Sequence, residues 1–274
     1  MPEAPSAAAA IRPRVLVTGV STGIGRATAE LLRDRGWEVF ASVRRAGEAP
    51  EGTIEVVFDV TDAEAIRHAA ARIDELDALV DNAGIAIAAP LEFLSPDELT
   101  RQLDVNVVGQ LRVLQAFLPA LRRSHGRVVL MGSIGGKSAL PFMGAYAMSK
   151  FALEAMADVL RLELAPFQMH VSIVEPGTIA TPIWTKPQRT VGEFPPEAAA
   201  LYGERVEKFR RLAAERAGNA VPALEVAKAV EHALTSAKPK TRYIVGPDAK
   251  RRARVEWLPN RLRDKVLTRF LFGS

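Results

Sequence analysis

Tyr146 and Lys150 stand four residues apart in a long helical pattern, a spacing that puts phenol and ammonium on one helix face. Ser133 comes 13 residues before the tyrosine, just after the apolar run Arg127–Met131. In a parallel sheet the C-terminal ends of strands open onto the ligand crevice, so this serine is placed to meet a bound molecule. A phenol, an ammonium and a hydroxyl together suit an oxygen that gains or loses a proton. A second grouping lies near the start of the chain, Thr18-Gly19-Val20-Ser21-Thr22-Gly23-Ile24-Gly25. Gly19 allows a tight turn, Gly23 lets backbone approach a pyrophosphate, and Gly25 lets the following helix pack on the preceding strand. The helix start then offers free N–H groups and a positive dipole end to an anion. The spacing is G-x-x-x-G-x-G and not G-x-G-x-x-G. A strand before it and an amphipathic helix after it favour a dinucleotide cradle over a mere tight connection.

The residue that reads the adenosine ribose belongs at the end of the second strand, where a carboxylate would accept both ribose hydroxyls of NAD. Here Val43 is followed by Arg44 and Arg45, and Glu38 lies at the wrong end of the strand. A guanidinium pair suits a 2′-phosphate, with Ser21 as an added hydroxyl donor, so NADP is expected over NAD. The plainer account of Arg44 and Arg45 is a pair of solvated loop charges.

The elements that must position these residues alternate along the chain. Arg14–Thr18, Trp37–Val43, Ile54–Phe58, Ala78–Val80, Arg127–Met131, His170–Val174 and Arg242–Val245 read as buried strands. Helical patterns fill Gly23–Arg35, Asp62–Glu75, Pro96–Leu121, Ala145–Pro166 and Pro222–Ser236. Near-continuous apolar strands alternating with helices predict an α/β fold, a Rossmann-like doubly wound parallel sheet covered on both faces. Residues 14–247 are read as one domain, and residues 1–13 as a disordered N-terminal extension. Thr181–Ala220 is an irregular, proline-bearing excursion with a helical patch near Glu197–Arg216, the kind of insertion that serves as a lid or binding loop. Its Trp184, Phe194, Tyr202 and Phe209 suit either packing of that helix or an apolar substrate lid.

Composition narrows the classes further. The chain has 274 residues, 25% of them charged, and no cysteine, which excludes disulfides, thiolate catalysis and Cys-ligated zinc. No apolar run reaches the ~18 residues of a membrane span, and a cytoplasmic site is expected. The formal charge of +4 is uneven: residues 248–274 carry eight Lys/Arg against three acids, so the preceding residues sum to −1. The body therefore offers no basic stripe for nucleic acid. His68, His125, His170 and His232 have no partners at ligand spacing, so no metal is expected. In the basic tail, Leu262, Val266, Leu267, Phe270 and Leu271 share a helical face after Pro259. That face is expected to dock on the chain's own domain or a neighbouring subunit, with membrane contact through 259–272 secondary.

Taken jointly, Thr18–Gly25, Asp59-Val60, Asn82-Ala83-Gly84, Asn106, Ser133, Tyr146-Lys150 and Pro176-Gly177-Thr178 with Thr181 resemble the short-chain dehydrogenase/reductase family. The resemblance runs from about Arg14 to Val245. A softer likeness, along Val39–Arg45 and Glu175–Trp184, is to members that handle retinoids and hydroxysteroids. The resemblance implies a catalytic tetrad of Asn106, Ser133, Tyr146 and Lys150. It also implies that Asp59 and Val60 hold the adenine, that Asn82–Gly84 line the adenosine side, and that Ile179 and Thr181, after Pro176 and Gly177, bind the nicotinamide amide. Asp81 departs from the pattern, which often shows a second asparagine before Asn-Ala-Gly.

The implied reaction moves a hydride between nicotinamide and an alcohol or carbonyl carbon, probing a small, lipophilic substrate class. Tyr146 would exchange the proton, Ser133 would hold the substrate oxygen, Lys150 would grip the ribose and help lower the phenol's pKa, and Asn106 would bind a water leading to bulk solvent. Family members pair the two long helices with symmetry mates, so a homodimer or homotetramer is expected. The alternatives are a non-catalytic dinucleotide sensor or scaffold, disfavoured because all four tetrad residues are present, and an epimerase or dehydratase on the same fold.

Overall fold

The structure, a computed structural model, describes residues 12–181 and 194–273. Residues 1–11 of the expected extension, and Trp184 with the 182–193 stretch of the excursion, lie outside the described residues. In chain order the main elements are β1 (Arg14–Thr18), α1 (Gly23–Asp34), β2 (Glu38–Val43), β3 (Ile54–Val57), α2 (Ala63–Ala70), β4 (Ala78–Asp81) and α3 (Pro96–Leu103). A π-helical stretch, Asp104–Val108, joins α3 to α4 (Gly109–Arg123), followed by β5 (Arg127–Met131), α5 (Gly144–Leu164) and β6 (His170–Pro176). The rest comprises β7 (Ile179–Ala180), α6 (Pro196–Ala217), β8 (Val221–Pro222), α7 (Ala223–Thr235), β9 (Arg242–Val245), α8 (Pro247–Val255) and α9 (Asn260–Phe272).

Seven strands form one parallel sheet in the order β3-β2-β1-β4-β5-β6-β9. The apolar strands have to be hydrophobic on both faces, and β1 shows why. Leu16 enters the core built with α2, α4 and α5, while Val15 and Val17 enter the core built with α1 and α7. The strand order reverses between β1 and β4, which opens the crevice at their C-terminal ends.

Three expectations need correction. β3 is an edge strand, with Ile54 and Val57 44% and 48% exposed, because a buried position would need a further strand beyond it. α2 stops at Ala70, well short of Glu75. The apolar rhythm beyond it belongs to a turn that buries Ile73 and Leu76 without helix. The tail helix α9 does dock, against α6, but its apolar residues divide. Leu271 is buried and Lys208 Nζ donates to the Phe272 carbonyl, while Leu262, Val266 and Phe270 form an adjacent stripe that stays exposed. The ring of Phe272 meets Phe142 edge-on at 6.5 Å, and Phe142 in turn meets Tyr202 and Phe209 at 6.3 and 5.7 Å. With Phe194 buried in the same cluster, these aromatics fasten the excursion helix to the body. Burying Leu271 is worth roughly 2–3 kcal/mol. A chain ended after Leu258 should therefore melt several degrees lower, and an unchanged melting curve would show that the docked helix contributes nothing.

Candidate active site

The glycine-rich turn and three strand ends enclose a cleft of about 880 Å³. Gly19 adopts a φ of +70° and lies so close to Ala83 that a Cβ would sit 3.0 Å from its Cα. Gly25 lies behind the cleft wall instead of lining it. A side chain there would collide with the Gly19 carbonyl and the Asn82 amide, so its smallness closes the turn. The N-terminus of α1 is left open to a ligand. Thr22, at its cap position, makes no side-chain cap bond, and the first turn holds no acid. Such an end holds unsatisfied N–H groups and a partial positive charge. The donor set fits a dinucleotide pyrophosphate.

Thr18 ties the turn to β4. Its hydroxyl accepts from the backbone N–H of Asn82 and Ala83, both at 2.9 Å, and donates to Asp81 Oδ1 at 2.9 Å. Asn82 returns a hydrogen bond from Nδ2 to the Thr18 carbonyl. The other oxygen of Asp81 is buried without a hydrogen-bond partner, and burial pushes this carboxyl up to about 8.

Of the expected site residues, Gly19, Ser21, Thr22, Gly23, Ile24, Arg44, Asp59, Val60, Asn82, Ala83, Gly84, Ser133, Tyr146, Lys150, Pro176, Gly177, Ile179 and Thr181 all line this one cleft. Only Gly25 and Asn106 do not. The cleft also has a wall that the motifs did not announce, formed by Asp97, Thr100 and Arg101 of α3 and by the π-helical Val105 and Val108. Ser21, Thr22, Arg44 and Arg45 border an adjoining notch with Arg26 and Glu48. Arg44 and Arg45 are exposed and make no ion pair among the described residues.

Asn106 stands behind the cleft lining. It is fully buried in the π-helical stretch, where Nδ2 donates to the Ile85 carbonyl (2.9 Å) and Ser149 Oγ (3.1 Å) while Oδ1 accepts from Ile85 N (2.8 Å). Both of its N–H groups are spent inside the protein. The side chain stitches the loop after Asn82–Gly84 to α5 one residue before Lys150. A π-bulge at that point turns the amide inward from the otherwise helical run.

Tyr146 and Ser133 are neighbours across Gly135, where a Cβ would lie 3.2 Å from the tyrosine ring and 3.3 Å from Ser133 Oγ. Ser133 Oγ accepts from Gly135 N at 3.0 Å, so the loop after β5 is shaped around this hydroxyl. Lys150 Nζ donates to the Met131 carbonyl at 2.7 Å and stands 5.7 Å from the centre of the Tyr146 ring. Burial pushes the lysine down to about 8, opposed by the charge of Asp81. Burial also pushes the Tyr146 phenol above its ordinary value. The Ser133 hydrogen bond and the charge of Arg252 pull the other way without prevailing. The positive charge that acts against this desolvation is that of Arg252.

Beyond Lys150, the loop after β6 is anchored from the C-terminal side. Asp248 of α8 accepts from Thr178 N (2.7 Å) and Thr178 Oγ1 (2.9 Å), and no side chain would fit at Gly177 beside it. The sequence reading missed both α8 and this aspartate. Pro247 followed by an acid in the first turn was the available signal.

Comparison with known proteins agrees with this geometry. The family described as short chain dehydrogenase matches residues 13–191. The chain belongs to that family. It is 37% identical to the 3-amino-tetrahydro-pyrrolizinone reductase of Xenorhabdus hominickii over 87% of this chain and 88% of that one. Against human 17-beta-hydroxysteroid dehydrogenase type 1 the identity is 36%, over 85% of this chain and 77% of the relative. Among solved structures, a short chain dehydrogenase from Burkholderia cenocepacia in complex with NADP superposes with a TM-score of 0.75 at 27% identity, covering 93% of this chain and 97% of that one. This short-chain dehydrogenase is accordingly an oxidoreductase of alcohol or carbonyl groups that works with a nicotinamide cofactor. Among the described residues no helix is long and apolar enough to cross a membrane.

Proposed function

We propose that the protein is an NADPH-dependent ketoreductase or alcohol dehydrogenase acting on a lipophilic substrate, with Tyr146 as its acid/base. The observation that carries this reading is the convergence of Ser133, Tyr146 and Lys150 on the same cleft as the glycine cradle. In the bound state the nicotinamide supplies or accepts the hydride. Ser133 holds the substrate oxygen and Tyr146 exchanges the proton with it. A phenol held above its ordinary pKa is protonated at neutral pH, the form that donates when a carbonyl is reduced. Lys150 would grip the ribose, and Ile179 and Thr181 the amide. Asp59, Val60 and the Asn82–Gly84 turn would border the adenosine half. Asn106 acts as a positioning residue that fixes the loop and helix carrying these groups. The lipophilic character is supported by the likeness to a hydroxysteroid dehydrogenase. The direct test is NADPH oxidation by the purified protein across steroid, retinoid and acyl ketones, repeated with NADH. A protein that binds neither cofactor would defeat the proposal.

The NADPH preference rests on Arg44, unpaired at the notch beside Ser21. A charged hydrogen bond to the 2′-phosphate is worth about 1.5–3 kcal/mol, roughly 10–100-fold in affinity. Val43→Asp combined with Arg44→Leu should swing the preference towards NADH, measured as the ratio of dissociation constants. Equal affinity of the unmodified protein for the two cofactors would refute the role of Arg44.

Assembly into a homodimer or homotetramer is supported by α5. Met148, Phe151, Val159 and Leu162 lie on one face of it and are 41%, 44%, 50% and 72% exposed. Light scattering should show an oligomer that Phe151→Asp with Leu162→Asp dissociates. A monomeric wild type at micromolar concentration would end this reading.

A further inference from the structure

The tail helix α9 docks by one side only, and its other side presents an apolar row to solvent. Leu262, Val266 and Phe270 follow one another at a spacing of four residues and are 48%, 38% and 58% exposed. Arg261, Lys265 and Arg269 each precede one of these three, which sets a row of cations along one edge of the stripe. All three are exposed and make no ion pair among the described residues. Asp264, the sole acid of α9, projects away from the stripe and pairs with Arg263 at 3.2 Å. The other tail acids are engaged as well, Glu256 by Arg263 at 3.3 Å and Asp248 by Thr178. Just before the helix, Trp257 stands 89% exposed. From α6, Lys208 and Arg205 reach Phe272 at the end of α9 and bring further positive charge.

Charge decides what such a face can meet. A second copy of the chain, paired about a two-fold axis, would set the cation row against itself. Nucleic acid would satisfy the cations and leave the apolar row in water. An anionic lipid surface satisfies both rows at once, with phosphates for the cations and the acyl boundary for Leu262, Val266 and Phe270. It also suits Trp257, whose amphipathic ring belongs at the headgroup level. The apolar row runs the length of the helix, about 12 Å, so the contact is with a flat partner and not a pocket.

We infer that α9 is an interfacial helix, which lies with Leu262, Val266 and Phe270 in the headgroup–acyl boundary of an anionic lipid bilayer. Arg261, Lys265 and Arg269 pair with lipid phosphates, and Trp257 enters the headgroup layer beside them. The chain rests on the surface and does not span it. Leu271, on the other side of the helix, stays buried, so docking on the body and on the bilayer use different faces and do not compete. The inference goes beyond the reductase reading and stands without it, since no residue of the cleft takes part.

The test sediments the full-length protein with sucrose-loaded vesicles, of phosphatidylcholine alone or with an equal share of phosphatidylglycerol. The protein should partition to the anionic vesicles and not to the neutral ones, and binding should weaken as salt rises. Each cation near the surface is worth about fivefold in partitioning, so Lys265→Gln with Arg269→Gln should lower it roughly 25-fold. Leu262→Ser with Phe270→Ser should lower it roughly 10–100-fold at equal charge. Arg67→Gln with Arg72→Gln, the same loss of charge at exposed positions on and beside α2, should leave it unchanged. Brominated lipid in the anionic vesicles should quench tryptophan fluorescence, and Trp257→Phe should remove most of that quenching. The substituted side chains are exposed, so the variants should melt close to the wild type. Should the serine pair fail to fold, the glutamine pair carries the comparison. The proposal is overturned if the protein stays in solution with both vesicles, or if the α2 pair costs as much as the α9 pair. It is overturned equally if the serine pair dissociates an oligomer in light scattering and leaves vesicle binding intact, since the stripe would then join copies of the chain. A protein that binds vesicles as expected but never oxidises NADPH would refute the reductase reading and leave the interfacial helix in place.

Discussion

Tyr146→Phe should bind NADPH like the wild type and reduce carbonyl substrates about 10²–10⁴-fold more slowly. The substitution removes the transferable proton and almost no volume, so the buried ring keeps its packing against Gly135 and the loop after β5. Ser133 keeps the Gly135 N–H. Stopped-flow reduction combined with a cofactor titration separates the two quantities. The pH profile adds a second check. In the proposed mechanism the donor is the protonated phenol, and burial holds its pKa above the ordinary value, so reduction by the wild type should not decline through neutral pH on this group's account. A phenylalanine variant with wild-type turnover would remove Tyr146 from the chemistry.

Asp81→Asn should change the stability curve as strongly as Tyr146→Phe changes the rate. The buried carboxyl titrates near 8 in the folded protein against an ordinary value of 3.8, so folding favours its protonated form. That contribution is complete below about pH 4 and is lost progressively as the pH rises through 8. The linked free energy is on the order of 6 kcal/mol. Asparagine keeps an acceptor for the Thr18 hydroxyl and has no charge to bury. The stability difference between variant and wild type should therefore be small at pH 4, grow in the variant's favour, and level off above pH 8, as read from urea titrations. A difference independent of pH would mean that Asp81 is ionised in the folded protein over the whole range.

What could be read from the chain followed from local rules. Gly19 to Gly25 sit between a strand and a helix start, and Tyr146 and Lys150 lie one helical turn apart, so their placement needed only the period of each element. What could not be read depended on partners distant in sequence. Arg252 finds the Ser138 carbonyl 114 residues away, and Asp248 finds Thr178 70 residues away. The exposure of β3 depends on strand order, since the same apolar run would be buried one position further in. The inward turn of Asn106 depends on a helical irregularity that leaves no clear mark on residue type. The rise in the Tyr146 pKa is a property of its burial, and the Tyr-x-x-x-Lys spacing contains no measure of that.

The strand order also bears on how such an enzyme can be altered. β2 and β9 lie five strand positions apart, roughly 24 Å at the spacing of a sheet. Arg44, proposed to select the cofactor, follows the first, and the segment that carries Asp248 follows the second. Mutations at the two ends share no side-chain contacts, so their free energies should add with little epistasis. A lineage, or an engineer, could therefore exchange the nicotinamide coenzyme without retuning the contacts by which Asp248 anchors the loop after β6.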